Sequence, residues 1–422
     1  MKSGLSLLNK RRFLPIFVTQ FLNAFNDNFF KMAMVILATY TIYDDPKIVA
    51  SFNAWAAGIF ILPFFLFSAM AGQLSDSIDK RRVILFVKTA EIVIMMIGAV
   101  GIYLESVPIM FAALFLITTQ STFFGPIKYG ILPQHLEEDE VLGGTGFVEA
   151  GTYIAILTGT IVGGLMPPKM AAIGIIIVAL IGRFIAQYVP TAPPEDDAPK
   201  LEIDWNIFRG SWRLLRSTMH VRRIAMAIWA ISFFWAIGAV LGAQFPPMVK
   251  DSLGGDNTVA TMFTAVFSVG IAIGSVAINR LLKGEVSAKF APASVIVMGV
   301  FVLLLWWAVK GWERGSAELI DWRAFLSLAR GDFILIAILG ISVFGGMFVV
   351  PLYAFLTTTV NKSETARTIA ANNIINSGAM VLGTVIYGVL AMVGVSIADT
   401  LFLIAAACIV AAWLAHQLHK SS

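Results

Sequence analysis

Apolar residues run through this chain in stretches of about 20 or more, separated by short segments that gather charged residues and prolines. A stretch of that length crosses the hydrocarbon core of a bilayer as one α-helix. The runs predict twelve membrane-spanning helices and hence an all-α integral membrane protein. They cover residues 13–42, 48–74, 83–104, 107–132, 142–166, 170–190, 223–249, 257–282, 290–310, 331–359, 365–392 and 394–416.

Composition agrees with this fold class and sets the orientation. Of the 422 residues, 58% are apolar and 13% are charged, whereas soluble domains are about 25% charged. The net charge of +4 comes from basic residues in short loops, which orient a membrane protein rather than bind nucleic acid. Most of them lie on the inner side if the N-terminus is cytoplasmic, which predicts two cytoplasmic termini. Lys31 and Arg183 are the basic residues then assigned to spans.

Motifs for catalysis are missing. No His-x4-Asp acyltransferase signature and no phosphate-binding Gly-x4-Gly-Lys-Ser/Thr loop occurs. The single cysteine, Cys408, excludes an intrachain disulfide and a cysteine metal site. The sequence therefore predicts neither an enzyme nor a cofactor or metal site.

A proline-rich segment after the sixth predicted span divides the chain. We expect an N-terminal six-helix bundle over 1–190, a cytoplasmic linker over 191–222 and a C-terminal six-helix bundle over 223–422. Apolar linker residues recur at spacings of three and four, and arginines lie off that stripe, which predicts an amphipathic helix on the cytoplasmic leaflet. The stripe comprises Leu201, Trp205, Phe208, Trp212, Leu215 and Met219.

The two halves resemble each other. The segment 159–164 matches 383–388, and Pro126 in the fourth span matches Pro351 in the tenth at nearly the same offset. These matches favour two parallel six-helix repeats, in which a substrate site lies at the repeat interface near the middle of the membrane.

Asp27 is the strongest candidate for a site residue. It lies near the middle of the first apolar run, where a charge costs roughly 2.5 to 3.5 kcal/mol on insertion scales. Lys31 follows one helical turn later, on the same helix face, so the two can pair. We expect Asp27 to face a central cavity and to contact Lys31 or another polar neighbour.

Further polar residues inside spans complete the candidate substrate site. Lys128 and Glu149 fall at similar depths on the fourth and fifth spans and could neutralise each other, although a snorkelling lysine or a structural ion pair would explain them too. The N-half thus bears charge, whereas the C-half offers amides. The complete candidate set is Asn23, Asp27, Asn28, Lys31, Lys128, Glu149, Gln244, Asn372, Asn373 and Asn376.

The loop between the second and third spans, 72–82, resembles the signature loop of the major facilitator superfamily: Gly, x, Leu, small, Asp, then a basic cluster. Ser77 and Asp79 depart from the usual Arg and Gly. The resemblance implies twelve helices in two repeats that work by alternating access. It implies a gating role, a latch on the cytoplasmic side, for Gly72, Asp76, Lys80, Arg81 and Arg82.

Three motifs resemble the lysophospholipid transporter (LplT-like) family within that superfamily: residues 26–28, 126–130 and 149–150. The resemblance implies movement of lysophospholipids to the cytoplasmic leaflet of the bacterial inner membrane, with an acyltransferase and an acyl-ACP synthetase as partners and a monomeric chain. Residues 235–244 lack the arginine of stand-alone members. In lacking this arginine and in carrying Lys31, the chain resembles members that are fused to acyltransferase and synthetase domains.

Two other functions stay open at this stage. The first is a proton-coupled facilitator for a small polar or drug-like solute, using Asp27 or Glu149 as the proton site. The second is a membrane subunit that docks an acyltransferase and transports nothing. The N-half motifs favour the lipid over the soluble solute.

Overall fold

The computed structural model describes residues 4–43, 46–194, 204, 206–312 and 319–421, and these residues are almost entirely helical. Within them, twelve helices are long enough to cross a membrane. They are α1 (Leu14–Leu37), α2 (Pro46–Ser77), α3 (Lys80–Tyr103), α4 (Val107–Gly130), α5 (Glu138–Leu165), α6 (Pro168–Ala186), α7 (Arg222–Pro247), α8 (Asn257–Leu281), α9 (Ala291–Lys310), α10 (Ala329–Thr359), α11 (Thr365–Met392) and α12 (Ile397–Ser421).

These helices follow the predicted spans closely and establish an all-α membrane protein. Eleven of them contain a stretch of 18 residues that is apolar enough to cross a membrane. The exception is α1, which carries three asparagines, Asp27 and Lys31. Its 24 residues extend over about 36 Å, long enough to span a bilayer.

Short elements join the long helices. π-helical turns extend α1 and α7 at Ala38–Ile42 and Met248–Leu253. Single helical segments cover Gly4–Asn9, Leu132–His135, Ile207–Met219, Trp322–Leu326 and Lys362–Glu364. The apolar runs did not reveal these segments, because each is shorter than a membrane span; Ile207–Met219 agrees instead with the amphipathic helix predicted for the linker.

Local signals explain where several long helices begin. Proline lies in the first turn of α1, α4, α6 and α9, where its missing N–H costs no intrahelical bond. The Asp79 side chain caps α3 by accepting from the Arg81 backbone N–H. Glu137 and Glu140 form a reciprocal capping box at the start of α5.

The chain forms two compact units. The first comprises Met1–His220 with Leu356–Ser377, and the second comprises Val221–Phe355 with Gly378–Ser422. In the first unit α1 packs against α5 and α6, α3 against α4 and α6, and α2 against α4. In the second unit α12 packs against α9 and α7. The division into 1–190, 191–222 and 223–422 stays a prediction.

Two glycines bring α5 against the backbone of α1. A Cβ atom on Gly159 would collide with the carbonyl oxygen of Phe25, and one on Gly163 would collide with that of Phe29. Only glycine allows so close an approach of two helices. The residues of α1 that follow, including Asp27, are therefore held at short range from α5.

The linker helix Ile207–Met219 lies against α2. Gly210, Leu214 and Thr218 are buried, whereas Phe208 and Trp212 are 74% and 70% exposed. Two of the four described residues of the predicted apolar stripe are thus left uncovered, as an interfacial helix requires. Leu201 and Trp205 lie outside the described residues.

An acidic residue anchors this linker helix. The backbone N–H of Asp204 donates to Gln73 at the end of α2 (3.0 Å), and its carboxylate accepts from Arg209 (2.9 Å). Arg213 forms a second ion pair with it at 3.3 Å. The hydrogen bond from Arg209 holds the pKa of Asp204 below its usual range.

Candidate functional site

Asn23 on α1 is the centre of a buried polar cluster in the first unit. Its Nδ2 donates to Ser121 Oγ on α4 at 2.8 Å, and its Oδ1 accepts from Gln120 Nε2 at 3.0 Å. Ser121 donates in turn to Asp27 Oδ2 at 2.5 Å. Asp27 is only 6% exposed and therefore does not face lipid. Its second oxygen, Oδ1, is buried and has no hydrogen-bond partner among the described residues.

The cluster continues into a buried ion pair that the sequence analysis missed. Lys88 and Glu91 on α3 are fully buried and pair with each other. Glu91 also accepts from Asn26 Nδ2 at 2.8 Å, and Lys88 Nζ lies 3.4 Å from Asn23 Oδ1. Two charges at positions i and i+3 within an apolar run were the available signal. Lys88 is thus a further basic residue buried within a span.

Lys31 does not join this cluster. Its ammonium lies over the ring of Phe60 on α2, 4.3 Å from the ring centroid. No carboxylate of the described chain lies within ion-pair distance of it, so the expected Asp27–Lys31 contact is not formed. The polar neighbours that Asp27 does contact, Ser121 and Asn23, come from α4 and from the preceding turn of α1.

Lys128 and Glu149 both contact Tyr129. The hydroxyl of Tyr129 donates to Glu149 Oε1, and the ammonium of Lys128 lies 4.7 Å from the centroid of the Tyr129 ring. Glu149 is fully buried, and its Oε2 has no hydrogen-bond partner among the described residues. Lys128 interacts electrostatically with both Glu149 and Asp27. The two predicted partners are therefore neighbours but do not form a direct ion pair.

The predicted amide residues fall into different units. Asn372, Asn373 and Asn376 belong to the part of α11 that packs in the first unit. Asn372 and Asn376 are buried, and the amide nitrogen of Asn373 faces Gly125 on α4. Gln244, in the second unit, is buried and donates to Thr400 at 2.8 Å. The side chain of Asn28 donates to the carbonyl of Ala24, one turn earlier in the same helix.

Asp76, the acid of the 72–82 loop, contacts the beginning of α11. Its carboxylate accepts from the backbone N–H groups of Ala366 (3.2 Å) and Arg367 (3.0 Å) and from Arg367 Nε (3.1 Å). A Cβ on Gly72 would lie 2.5 Å from that of Ala370, so only glycine permits this approach. No local sequence pattern indicates Arg367 as the partner, because the contact joins residues 291 positions apart.

The three basic residues of the loop have different surroundings. Lys80 is buried, and its backbone N–H donates to the carbonyl of Ala192 at 2.9 Å. Arg81 donates to the carbonyl of Gln187 at 2.8 Å, whereas the side chain of Arg82 is exposed. Within the loop, Gly72 and Asp76 therefore contact α11.

Proteins of similar sequence and solved structures of similar fold are known. The lysophospholipid transporter LplT of Photorhabdus laumondii is 28% identical, over 91% of this chain and 90% of that protein. LplT of Escherichia fergusonii is also 28% identical, over 96% of each chain. Solved structures share the fold at low identity. The human organic anion transporter MFSD10 matches with a TM-score of 0.77 at 14% identity, over 96% of this chain and 99% of that one.

The fucose:proton symporter of E. coli matches with a TM-score of 0.71 at 11% identity, over 96% of this chain and 98% of that one. The family model of the Major Facilitator Superfamily matches residues 16–384, which is most of the sequence. Three features agree with that match: the loop at residues 72–82, the twelve long helices, and the fold shared with the solved structures. The chain belongs to the Major Facilitator Superfamily.

Proposed function

We propose that this protein carries lysophospholipids across the bacterial inner membrane, to the cytoplasmic leaflet, by alternating access. The observation that carries the proposal is the similarity to two LplT transporters along nearly the full length of each chain. Both termini then lie in the cytoplasm, a monomer is the working unit, and an acyltransferase with an acyl-ACP synthetase consumes the lipid that is delivered.

The polar residues of the first unit suit a zwitterionic headgroup. Asp27 offers a buried carboxylate oxygen, Oδ1, which accepts no hydrogen bond within the described chain and so suits an ammonium group. Lys128 is half-buried, and its ammonium lies over the Tyr129 ring without an ion pair to any described residue, which leaves its donors for a phosphate. Lys128 also interacts electrostatically with Asp27, so the two residues are suited to the two opposite charges of one headgroup.

The remaining predicted residues take supporting roles in this proposal. Asn23 orients Asp27 through Ser121. Glu149 and Tyr129 fix the electrostatic environment of Lys128. Lys31, beside Phe60, is a second cation for the phosphate. The amides of α11 form the opposite wall, and Gln244 stays a candidate on the C-half.

Uptake into proteoliposomes tests the function directly. Purified protein is reconstituted, and the transfer of lysophosphatidylethanolamine, lysophosphatidylglycerol and a panel of soluble sugars and drugs is followed, with and without a proton gradient. We expect transfer of the lysolipids. Transfer of a soluble solute alone, driven by the gradient, would establish the small-solute facilitator. No transfer of any compound, with capture of the acyltransferase, would support the docking subunit.

We propose that Asp76 and Arg367 form the gate latch. Asp76→Asn removes the charge of a buried carboxylate that accepts three hydrogen bonds. Charge-assisted bonds contribute about 1.5–3 kcal/mol each, so the ratio of latched to open molecules is expected to fall at least about tenfold. Distances between spin labels on the two halves measure this shift. Asp332→Asn, an exposed acid outside the latch, is the matched control; identical distance distributions in the two variants would refute the latch.

A further inference from the structure

Three arginines gather around one surface cavity of the first unit. The cavity has a volume of about 430 Å³ and is lined by Arg11, Arg12, Arg81 and residues 187–190, which follow α6. None of the lining residues is acidic. Arginines presented together in this way suit the planar, multi-oxygen geometry of a phosphate group.

The arginines retain capacity for a ligand. Arg81 donates one terminal nitrogen to the carbonyl of Gln187, whereas its Nε is buried and has no hydrogen-bond partner among the described residues. Arg11 is exposed and forms no ion pair with a described residue. Arg12 differs, because it is already paired with Glu137 and Glu140. Arg11 and Arg81 are therefore the residues that would hold an anion.

Charged residues of both signs lie near the cavity. His135 lies at the same end of the bundle, in the short helix before α5. Burial and the positive charges of Lys80 and Arg12 lower its pKa below the ordinary value, against a smaller opposing effect of Asp79. The three arginines of the lining supply the positive charge that an anionic ligand requires.

The cavity opens at the end of a lipid-facing surface. Five exposed side chains follow one face of α6 and the turn after it, at spacings of four and three. They are Ile173, Ile177, Ile181, Phe184 and Tyr188. The rings of Phe184 and Tyr188 contact each other, with centroids 5.6 Å apart. Tyr188 also lines the cavity, so the apolar face and the arginines are continuous.

We propose that this cavity binds the phosphate of an anionic phospholipid from the surrounding leaflet, whose acyl chains lie along the exposed face of α6. Arg11 and Arg81 bind the phosphate, and Tyr188 marks the boundary between headgroup and chains, a position that tyrosine favours in membranes. A soluble phosphate would use the arginines but not the apolar face. The proposal does not depend on the transported substrate, because the lipid stays bound to the outside of the helix bundle.

Native mass spectrometry of the detergent-solubilised protein tests the site. Dioleoyl phosphatidylglycerol is titrated against dioleoyl phosphatidylcholine, and a parallel series adds inorganic phosphate. We expect preferential retention of phosphatidylglycerol. The variant Arg11→Gln/Arg81→Gln is expected to weaken that retention at least about tenfold, the effect of losing one or two charge-assisted hydrogen bonds. Arg280→Gln, which removes an exposed arginine at the end of α8, is expected to have no effect.

Three results would overturn the proposal. The first is equal retention of the two lipids by the unaltered protein. The second is unchanged retention of phosphatidylglycerol in the double variant. The third is displacement of phosphatidylglycerol by inorganic phosphate at comparable concentration, which assigns the site to soluble anions. If the double variant fails to fold, the single variant Arg11→Gln tests the proposal, because Arg11 is exposed. Its loss removes one exposed charge contact and is expected to weaken retention of phosphatidylglycerol about two- to threefold.

Discussion

Replacing Lys88 with methionine is expected to destabilise the protein by about 3–5 kcal/mol, the effect of leaving one member of a buried ion pair without its partner. Glu91 would keep its hydrogen bond from Asn26 but lose its counter-charge, in a place with no access to water. The measurement is the fraction of protein that stays monodisperse after heating in detergent. Glu91→Gln is expected to destabilise the protein by a comparable amount, because it leaves the buried ammonium of Lys88 without a carboxylate partner.

Lys31→Met is the matched control for this experiment. It removes an ammonium from a neighbouring span by the same substitution, but Lys31 has no ion-pair partner among the described residues. We expect it to leave the melting temperature unchanged or to raise it. A Lys88→Met protein as heat-resistant as the Lys31→Met protein would show that the ion pair contributes little to the fold.

The second large effect concerns the headgroup. Asp27→Asn is expected to reduce uptake of lysophosphatidylethanolamine by about 10- to 100-fold, the loss that follows when one charged hydrogen bond to the substrate is removed. Uptake of lysophosphatidic acid, which has no amine, is expected to change little. Lys128→Gln is expected to reduce uptake of both lipids, because both carry a phosphate. Proteoliposome uptake, normalised to folded protein, measures all four combinations.

Lys362→Gln, an exposed lysine in the turn before α11, is the control for loss of charge. If Asp27→Asn lowers uptake of both lipids equally, Asp27 does not recognise the amine and acts on the transport cycle instead. If neither variant affects lysolipid uptake, the headgroup does not bind between Asp27 and Lys128.

The sequence predicted the helices well because a membrane span is a local property. A single apolar run decides it, and α8 (Asn257–Leu281) agrees with the predicted 257–282 to one residue. The same principle explains the miss at Leu132–His135, whose four residues are too few for any periodic signal. The burial of Asp27 was likewise predictable, since an acid at that depth cannot face lipid.

The partners of these residues were not predictable in the same way. Spacing along α1 allowed an Asp27–Lys31 pair, but packing placed Ser121 of α4 against Asp27 instead, 94 positions away. The contact between Arg367 and Asp76 likewise cannot be predicted from any local sequence pattern. The pair formed by Lys88 and Glu91 was different: both charges stand within one predicted span, and their spacing alone indicates a common helix face.

The glycine contacts between α1 and α5 limit how the protein can recognise its substrate. With the carbonyls of Phe25 and Phe29 against Gly159 and Gly163, the two helix backbones are in direct contact and would lose this fit if one slid along the other. We therefore expect α1 and α5 to move as one element, so that the distance between the carboxylates of Asp27 and Glu149 changes little during transport. The changes between loading and release are then expected in the other helices.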